Sequence, residues 1–300
     1  MTYAAHFAGV IAACWITARV LSRSRWTWQR PRVAIVCWQA IGLALGLSAI
    51  GLPLSLGLTP YGTGTAAALL RYAVDVGDGQ SAGLGPVRLG LVAIGLAAAG
   101  TLLVSTTACI VRTIRIRGRH RELLTLVART DPAAPGALVL DHPGAAAYCL
   151  PGRRPRVVVS AGTLRLLDSG QLAAVLSHER AHADERHDLV LLPFAALGRA
   201  MPGVRWFRTI HETVALLVEM RADDKARRLH ADGPLVGALL RFAAAPARVT
   251  PPGALGATEQ IQVRVDRLLR PASRPPTLRC AAALVVSQAL AVVPVALFLT

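Results

Sequence analysis

The chain is poor in the features that organise an ordinary soluble domain. Its five cysteines, Cys14, Cys37, Cys109, Cys149 and Cys280, form no C-x-x-C pair. Nothing in their spacing suggests a thiolate zinc site or a redox motif, and they read as small apolar residues in a reducing or lipid setting. No sequence repeat is visible, which argues against a repeat array. Charge is nearly absent from four long stretches, roughly Ala4–Leu21, Val33–Leu58, Leu89–Val111 and Cys280–Leu299. Each is about as long as the ~20 helical residues that cross a bilayer. A buried core helix would explain any one of them. Four such runs flanked by arginines, in a chain that is 53% hydrophobic, point to membrane spans and away from a soluble globule. The first run lacks both the basic start and the small-residue cleavage site of a signal peptide, and it is expected to stay as an anchor.

What the chain does have is arginine, and with it a net charge of +16. Such a balance is compatible with nucleic-acid binding, but its placement points elsewhere, and no direct nucleic-acid binding is expected. Arg19, Arg23, Arg25, Arg30 and Arg32 lie at or between the first two runs. Arg112, Arg115, Arg117, Arg119 and Arg121 follow the third, and Arg264, Arg267, Arg270, Arg274 and Arg279 precede the fourth. The connector between runs two and three sets Arg71 and Arg88 against Asp75 and Asp78. Because positive residues mark the cytoplasmic side, one topology accommodates every arginine cluster. Both termini lie outside, and the large segment after the third run lies inside. The expected location is the plasma membrane, with the bilayer itself as a partner.

Three regions follow: residues 1–111 with three spans and an exterior connector at about 59–86, a cytoplasmic segment at 112–277, and a fourth span at 278–300. The connector reads as an exposed loop with one short helix at "TAAALLRYAVD". In the soluble segment, "HRELLTLVART" reads as a helix leaving the membrane, and "ALVLD" and "RVVVS" as short strands. A helix covers "SGQLAAVLSHERAHADERHD", capped by Asp168 or Ser169. Another covers "HETVALLVEMRADDKARRLHAD" and is expected to stop at Gly233-Pro234. "TEQIQVRVDRLLRP" is a basic amphipathic helix. The fold class is mostly α: four transmembrane helices around a cytoplasmic α+β domain with a short β-hairpin or sheet.

The chemistry lies in "LSHERAHADERHD". Residues four apart share one face of a helix, so His178 and His182 can aim two imidazole nitrogens at one zinc ion. Glu179, one residue round the helix, suits a general base for a water whose pKa the metal lowers. Chance produces H-E-x-x-H in such a chain at roughly one in a hundred or less. Zinc needs a third protein ligand, and "VEMRADDKA" offers Glu219, with Asp223 four residues on to orient a ligand histidine. In isolation that pair would be an ordinary acidic helix face. Asp224 points elsewhere, and Glu212 is a weaker alternative ligand. His187 and Arg186 read mainly as packing or surface residues. His211, His230 and Arg227 are candidates for oxyanion stabilisation. Either "RVVVS" or "ALVLD" is a candidate edge for pairing with an extended peptide.

"GTLRLLDSGQLAAVLSHERAHADERHDL" followed by "EMRADDKA" resembles the integral-membrane gluzincin metallopeptidases, most closely the BlaR/MecR-type peptidase unit of beta-lactam sensor-transducers. The three-plus-one order of spans around a cytoplasmic peptidase is similar as well. The resemblance implies a zincin-like domain with one Zn2+ per chain, held by His178, His182 and Glu219. It also implies Glu179 as catalytic base or acid and Asp223 behind a ligand. The chain stops at Thr300, just past the fourth run, so the sensors' extracellular penicillin-binding domain is expected to be missing. The related HtpX-like and CAAX prenyl endopeptidases share both motifs, but there membrane helices intervene between them. The interval from His182 to Glu219 here is too short for two spans, which take about 40 apolar residues. Its apolar run therefore belongs in the peptidase core or at the membrane surface. The implied function is a membrane zinc endopeptidase acting on a protein or peptide, such as a cytosolic DNA-binding repressor. The alternatives are membrane-protein quality control and a non-catalytic signalling scaffold.

Overall fold

The computed structural model describes residues 2–62, 64–79, 83–152, 154–245, 257–270 and 277–299. Parts of two expected features, the 59–86 connector and the end of the soluble segment, and Thr300 lie outside these residues. The elements, in order, are helices α1 (Thr2–Arg23), α2 (Trp26–Gln29), α3 (Pro31–Gly57), a 3-10 turn (Thr59–Tyr61), α4 (Thr65–Gly77) and α5 (Pro86–Val127). Strands β1 (Ala128–Thr130), β2 (Ala137–Leu140), β3 (Ala147–Leu150) and β4 (Arg156–Ser160) follow. Then come α6 (Ala161–Leu166), α7 (Ser169–Asp184), α8 (His187–Ala200), α9 (Arg205–Ala226), α10 (Asp232–Ala244), α11 (Ala257–Leu269) and α12 (Thr277–Leu299). By length and composition, four of these can cross a membrane: Tyr3–Arg23, Pro31–Gly57, Pro86–Val127 and Thr277–Leu299. The third has 42 residues. At 1.5 Å per residue it is about 63 Å long, roughly twice the hydrocarbon thickness.

The chain divides into two compact units. One comprises Met1–Ala108, Pro193–Phe207 and Pro275–Thr300, and the other Cys109–Leu192 and Arg208–Arg274. In the first, α3 packs against α1 and α12. Close approach depends on small residues. A Cβ at Gly51 would run into the Phe7 ring, and one at Gly95 would lie 2.6 Å from Leu54 Cγ. From Pro193 on, the apolar run before Pro202 joins this unit, while Leu189–Leu192 stay with the other. Phe194, 2% exposed, lies 3.5 Å from where a Cβ of Gly42 would stand. A run this apolar finds a more favourable surface among the apolar helices than against the charged helices of the second unit.

The second unit is built on a four-stranded sheet of order β1-β2-β4-β3. β2 and β4 run parallel, while β1 and β3 pair antiparallel at the two edges. Only two strands were expected from the sequence. The residues of β1 continue a helical pattern in the sequence, and β3, "AYCL", has little β-branched character to mark it as a strand. The two strands proposed as peptide-accepting edges are both internal, and the edge strands are β1 and β3. Alternation along β4 sends Val157 and Val159 to one face and Val158 to the other. The first face packs on Leu172, Val175 and Leu176 of α7, and the second on Leu124 of α5.

Two helix boundaries also depart from the pattern read in sequence. Gly233 and Pro234 do not stop a helix; they lie in the first turn of α10. Backbone N–H groups there have no intrahelical partner, so proline loses no hydrogen bond. The H-E-x-x-H helix ends at Asp184, not Asp188, because Arg186 takes a left-handed conformation (φ 49°) and α8 starts afresh at His187. At its other end α7 carries a capping box: Asp168 accepts from the Gln171 N–H (2.8 Å), and Gln171 accepts from the Asp168 N–H (3.3 Å).

Candidate metal centre

Helical spacing on α7 sets His178 and His182 one turn apart, and α9 brings up Glu219 and Asp223 in the same way. His178, His182 and Glu219 offer donor atoms that all lie within 4.8 Å of one another. The two Nε2 atoms are 3.1 Å apart, and each lies 3.4 Å from a Glu219 carboxylate oxygen. Tetrahedral zinc with bonds of about 2.0–2.2 Å needs ligand atoms roughly 3.3–3.5 Å apart. The donor set, two imidazoles and a carboxylate, is also the kind zinc takes at open catalytic sites. The residues therefore fit the ion in both spacing and chemistry.

Behind the trio, Asp223 is fully buried with Oδ1 3.0 Å from His178 Nδ1, an ion-pair contact rather than a well-aligned hydrogen bond. Glu179 stands beside the donors, where the backbone N–H of Cys149 in the edge strand β3 favours its ionised form. Asp224 turns away to Arg267 (2.6 Å), and Glu212 is half-exposed beside Arg208 (3.8 Å). Arg227 is held by Asp232 (2.8 Å), and His230 bonds Ser177 (2.8 Å). His211 is partly buried, and burial lowers its pKa. His187 is 3% exposed and reaches back to His182, with the two Nδ1 atoms 2.9 Å apart.

One residue that sequence reasoning assigned only to topology enters the centre. Arg264 of α11 is 8% exposed. It donates to Asp223 Oδ2 (2.8 Å), Asp223 Oδ1 (2.6 Å) and Glu219 Oε2 (2.8 Å), and its Nη2 lies 3.5 Å from His178 Nε2. α11 can deliver it because Ile261, Val265 and Leu268 pack against α10. Positions 261, 264, 265 and 268 form one helical stripe. An arginine inside an apolar stripe was the signal that could have singled it out. The segment joining α10 to α11 lies largely outside the described residues.

The charges of the cluster follow from this packing. Burial raises the Glu179 carboxyl to about 6, against the pull of His178. Burial would also raise Asp223 and Glu219. Arg264 and His178 overcome it at Asp223, holding that carboxyl at about 2, and His182 with Arg264 hold Glu219 well below the usual range. At His178, burial favours the neutral ring, but Asp223 and Glu219 outweigh it and raise the imidazole to about 10. At His182, burial outweighs the pull of Glu219 and lowers the imidazole to about 4. Cys149, pushed by burial and Glu179 to about 12, is no nucleophile.

Compared with known families, residues 114–232 match the model of Peptidase family M48, whose members are zinc-dependent peptidases. The matched segment contains the H-E-x-x-H motif, Glu219 and Asp223, and it ends before Arg264. No curated protein and no solved structure matches the chain significantly.

Proposed function

We propose that the chain is a multi-pass membrane zinc endopeptidase whose active site faces the cytoplasm. In this reading His178, His182 and Glu219 hold the ion, Glu179 is the catalytic base and acid, and Asp223 orients His178. The observation that carries it is the convergence of two imidazoles and a carboxylate at zinc-ligand spacing, with a carboxylate of raised pKa beside them. When bound, zinc supplies a Lewis acid for the scissile carbonyl and lowers the pKa of a water molecule towards 7. Glu179, next to a ligand histidine on the same helix, is placed to accept a proton from water and return it to the leaving amine. The edge strand β3 offers backbone groups for pairing with an extended substrate. Arg264 keeps Glu219 and Asp223 ionised and in place.

The arginine placement supports a cytoplasmic active site. The likeness of "SAGTLRLLDSGQLAAVLSHE" and of the three-plus-one helix order to BlaR/MecR-type units supports a cytosolic repressor or other regulatory protein as substrate. Quality control of membrane proteins uses the same chemistry on a different substrate. Membranes carrying the wild-type chain or Glu179→Gln, profiled for new protein N-termini by mass spectrometry, test the reading. Cleavages in cytosolic proteins that vanish in the variant support it. Cleavages confined to membrane proteins favour quality control. Identical profiles refute a peptidase and favour a scaffold.

A further inference from the structure

Resting on the zinc reading above, we propose that His187 is a positioning residue for the metal centre: held by Glu185 and Arg221, it fixes the tautomer of His182 that presents Nε2 to the ion. The four residues form a chain leading away from the donor cluster. His182 Nδ1 lies 2.9 Å from His187 Nδ1, and His187 Nε2 lies 3.4 Å from Glu185 Oε2. Arg221 then grips both oxygens of Glu185, donating from Nε (2.9 Å) and Nη2 (2.7 Å).

The protons along this chain are set from its far end. Arg221 can only donate, and an ionised carboxylate can only accept. Glu185 therefore takes the hydrogen of His187 at Nε2. His187 is almost wholly buried, and burial disfavours a charged imidazole. A neutral ring with its hydrogen on Nε2 has a lone pair on Nδ1. Facing that lone pair at 2.9 Å, His182 must carry its own hydrogen on Nδ1, which leaves its Nε2 as the lone pair turned towards His178 and Glu219. The opposite arrangement would place two lone pairs, or two hydrogens, against each other at one end of the chain.

The backbone supplies the geometry. His182 and His187 are five apart, a spacing that an unbroken helix does not stack. The left-handed Arg186 ends α7 and restarts the chain as α8, and this turn folds the His187 ring onto His182 at 4.8 Å between centroids. Glu185, at the C-cap of α7, lies within the same turn. Each of the two histidines thus has its own partner, with Asp223 on His178 and His187 on His182.

The test uses the full chain purified in detergent, with zinc affinity read by competition against a chromophoric chelator. Variants are His187→Phe, which keeps a buried ring but no acceptor, and His187→Asn, whose side-chain oxygen can stand near the Nδ1 position. The inference expects zinc affinity about 10–100-fold weaker in His187→Phe, recovered to within a few-fold of wild type in His187→Asn. In the cobalt-loaded proteins, the visible absorption bands should change in His187→Phe and return in His187→Asn. Equal affinity in wild type and His187→Phe overturns it. So does an equal loss in both variants, which would make His187 a packing residue. If the wild-type chain binds no zinc, the metallopeptidase reading itself falls, a result distinct from either of these.

Discussion

The two units solve the problem of packing helices in opposite ways. In the first, contact is made by removing side chains: Gly51 receives the Phe7 ring, Gly57 approaches the backbone of Arg88, and Gly95 receives Leu54. Apolar helices in lipid gain little from burial against one another, so close van der Waals approach at small residues does most of the holding. The second unit gathers charge inside. His178, Glu179, Glu219, Asp223 and Arg264 sit together, and each stabilises or perturbs the ionisation of the others. Packing errors should therefore damage the first unit, whereas loss of a single charge should damage the second.

Four substitutions probe that contrast, from the largest expected effect to the smallest. Glu179→Gln keeps the side chain's size and removes the proposed base. Peptide cleavage should fall by about 10²–10⁴-fold while zinc content, measured by elemental analysis, is retained. Arg264→Ala removes the guanidinium that bonds both Asp223 oxygens and leaves that buried carboxylate with His178 alone. It should cost about 3–5 kcal/mol, read as early unfolding of the second unit by hydrogen exchange, with α12 and α3 unaffected. Gly51→Val puts a branched side chain into the Phe7 ring and should cost roughly 1–3 kcal/mol. Here the signal should appear in exchange and thermal melting of α1 and α3, and zinc affinity should be unchanged. If that variant also loses zinc, the division into two separately stabilised units is wrong. Arg186→Gly relieves a left-handed non-glycine residue, worth about 1 kcal/mol, offset in part by glycine's extra freedom in the unfolded chain. A small rise in melting temperature with unchanged cleavage is the expected result.

Legibility in the sequence tracked the distance over which each feature is decided. The four apolar runs were readable because a bilayer crossing depends only on the length and composition of one segment. The face shared by His178 and His182, and that shared by Glu219 and Asp223, followed from helical spacing. Strand β4 was visible in three consecutive valines, while β3 was not visible in "AYCL". The edges of the sheet could not be read at all, since pairing order is a matter of which strand meets which. Arg264 was counted with its neighbours as a marker of membrane side, although its apolar surroundings at Ile261, Val265 and Leu268 set it apart.

The sequence by itself determined the spans, the chemical character of the motif and the helices that carry it, because hydropathy and 3.6-residue spacing act locally. Only the tertiary structure decided that Arg264 meets Asp223 across 41 residues, that β3 is an edge of the sheet and β4 is internal, and that His187 turns back onto His182. Those outcomes depend on how helices and strands pack and on one left-handed turn at Arg186, and no local pattern of residues specifies either.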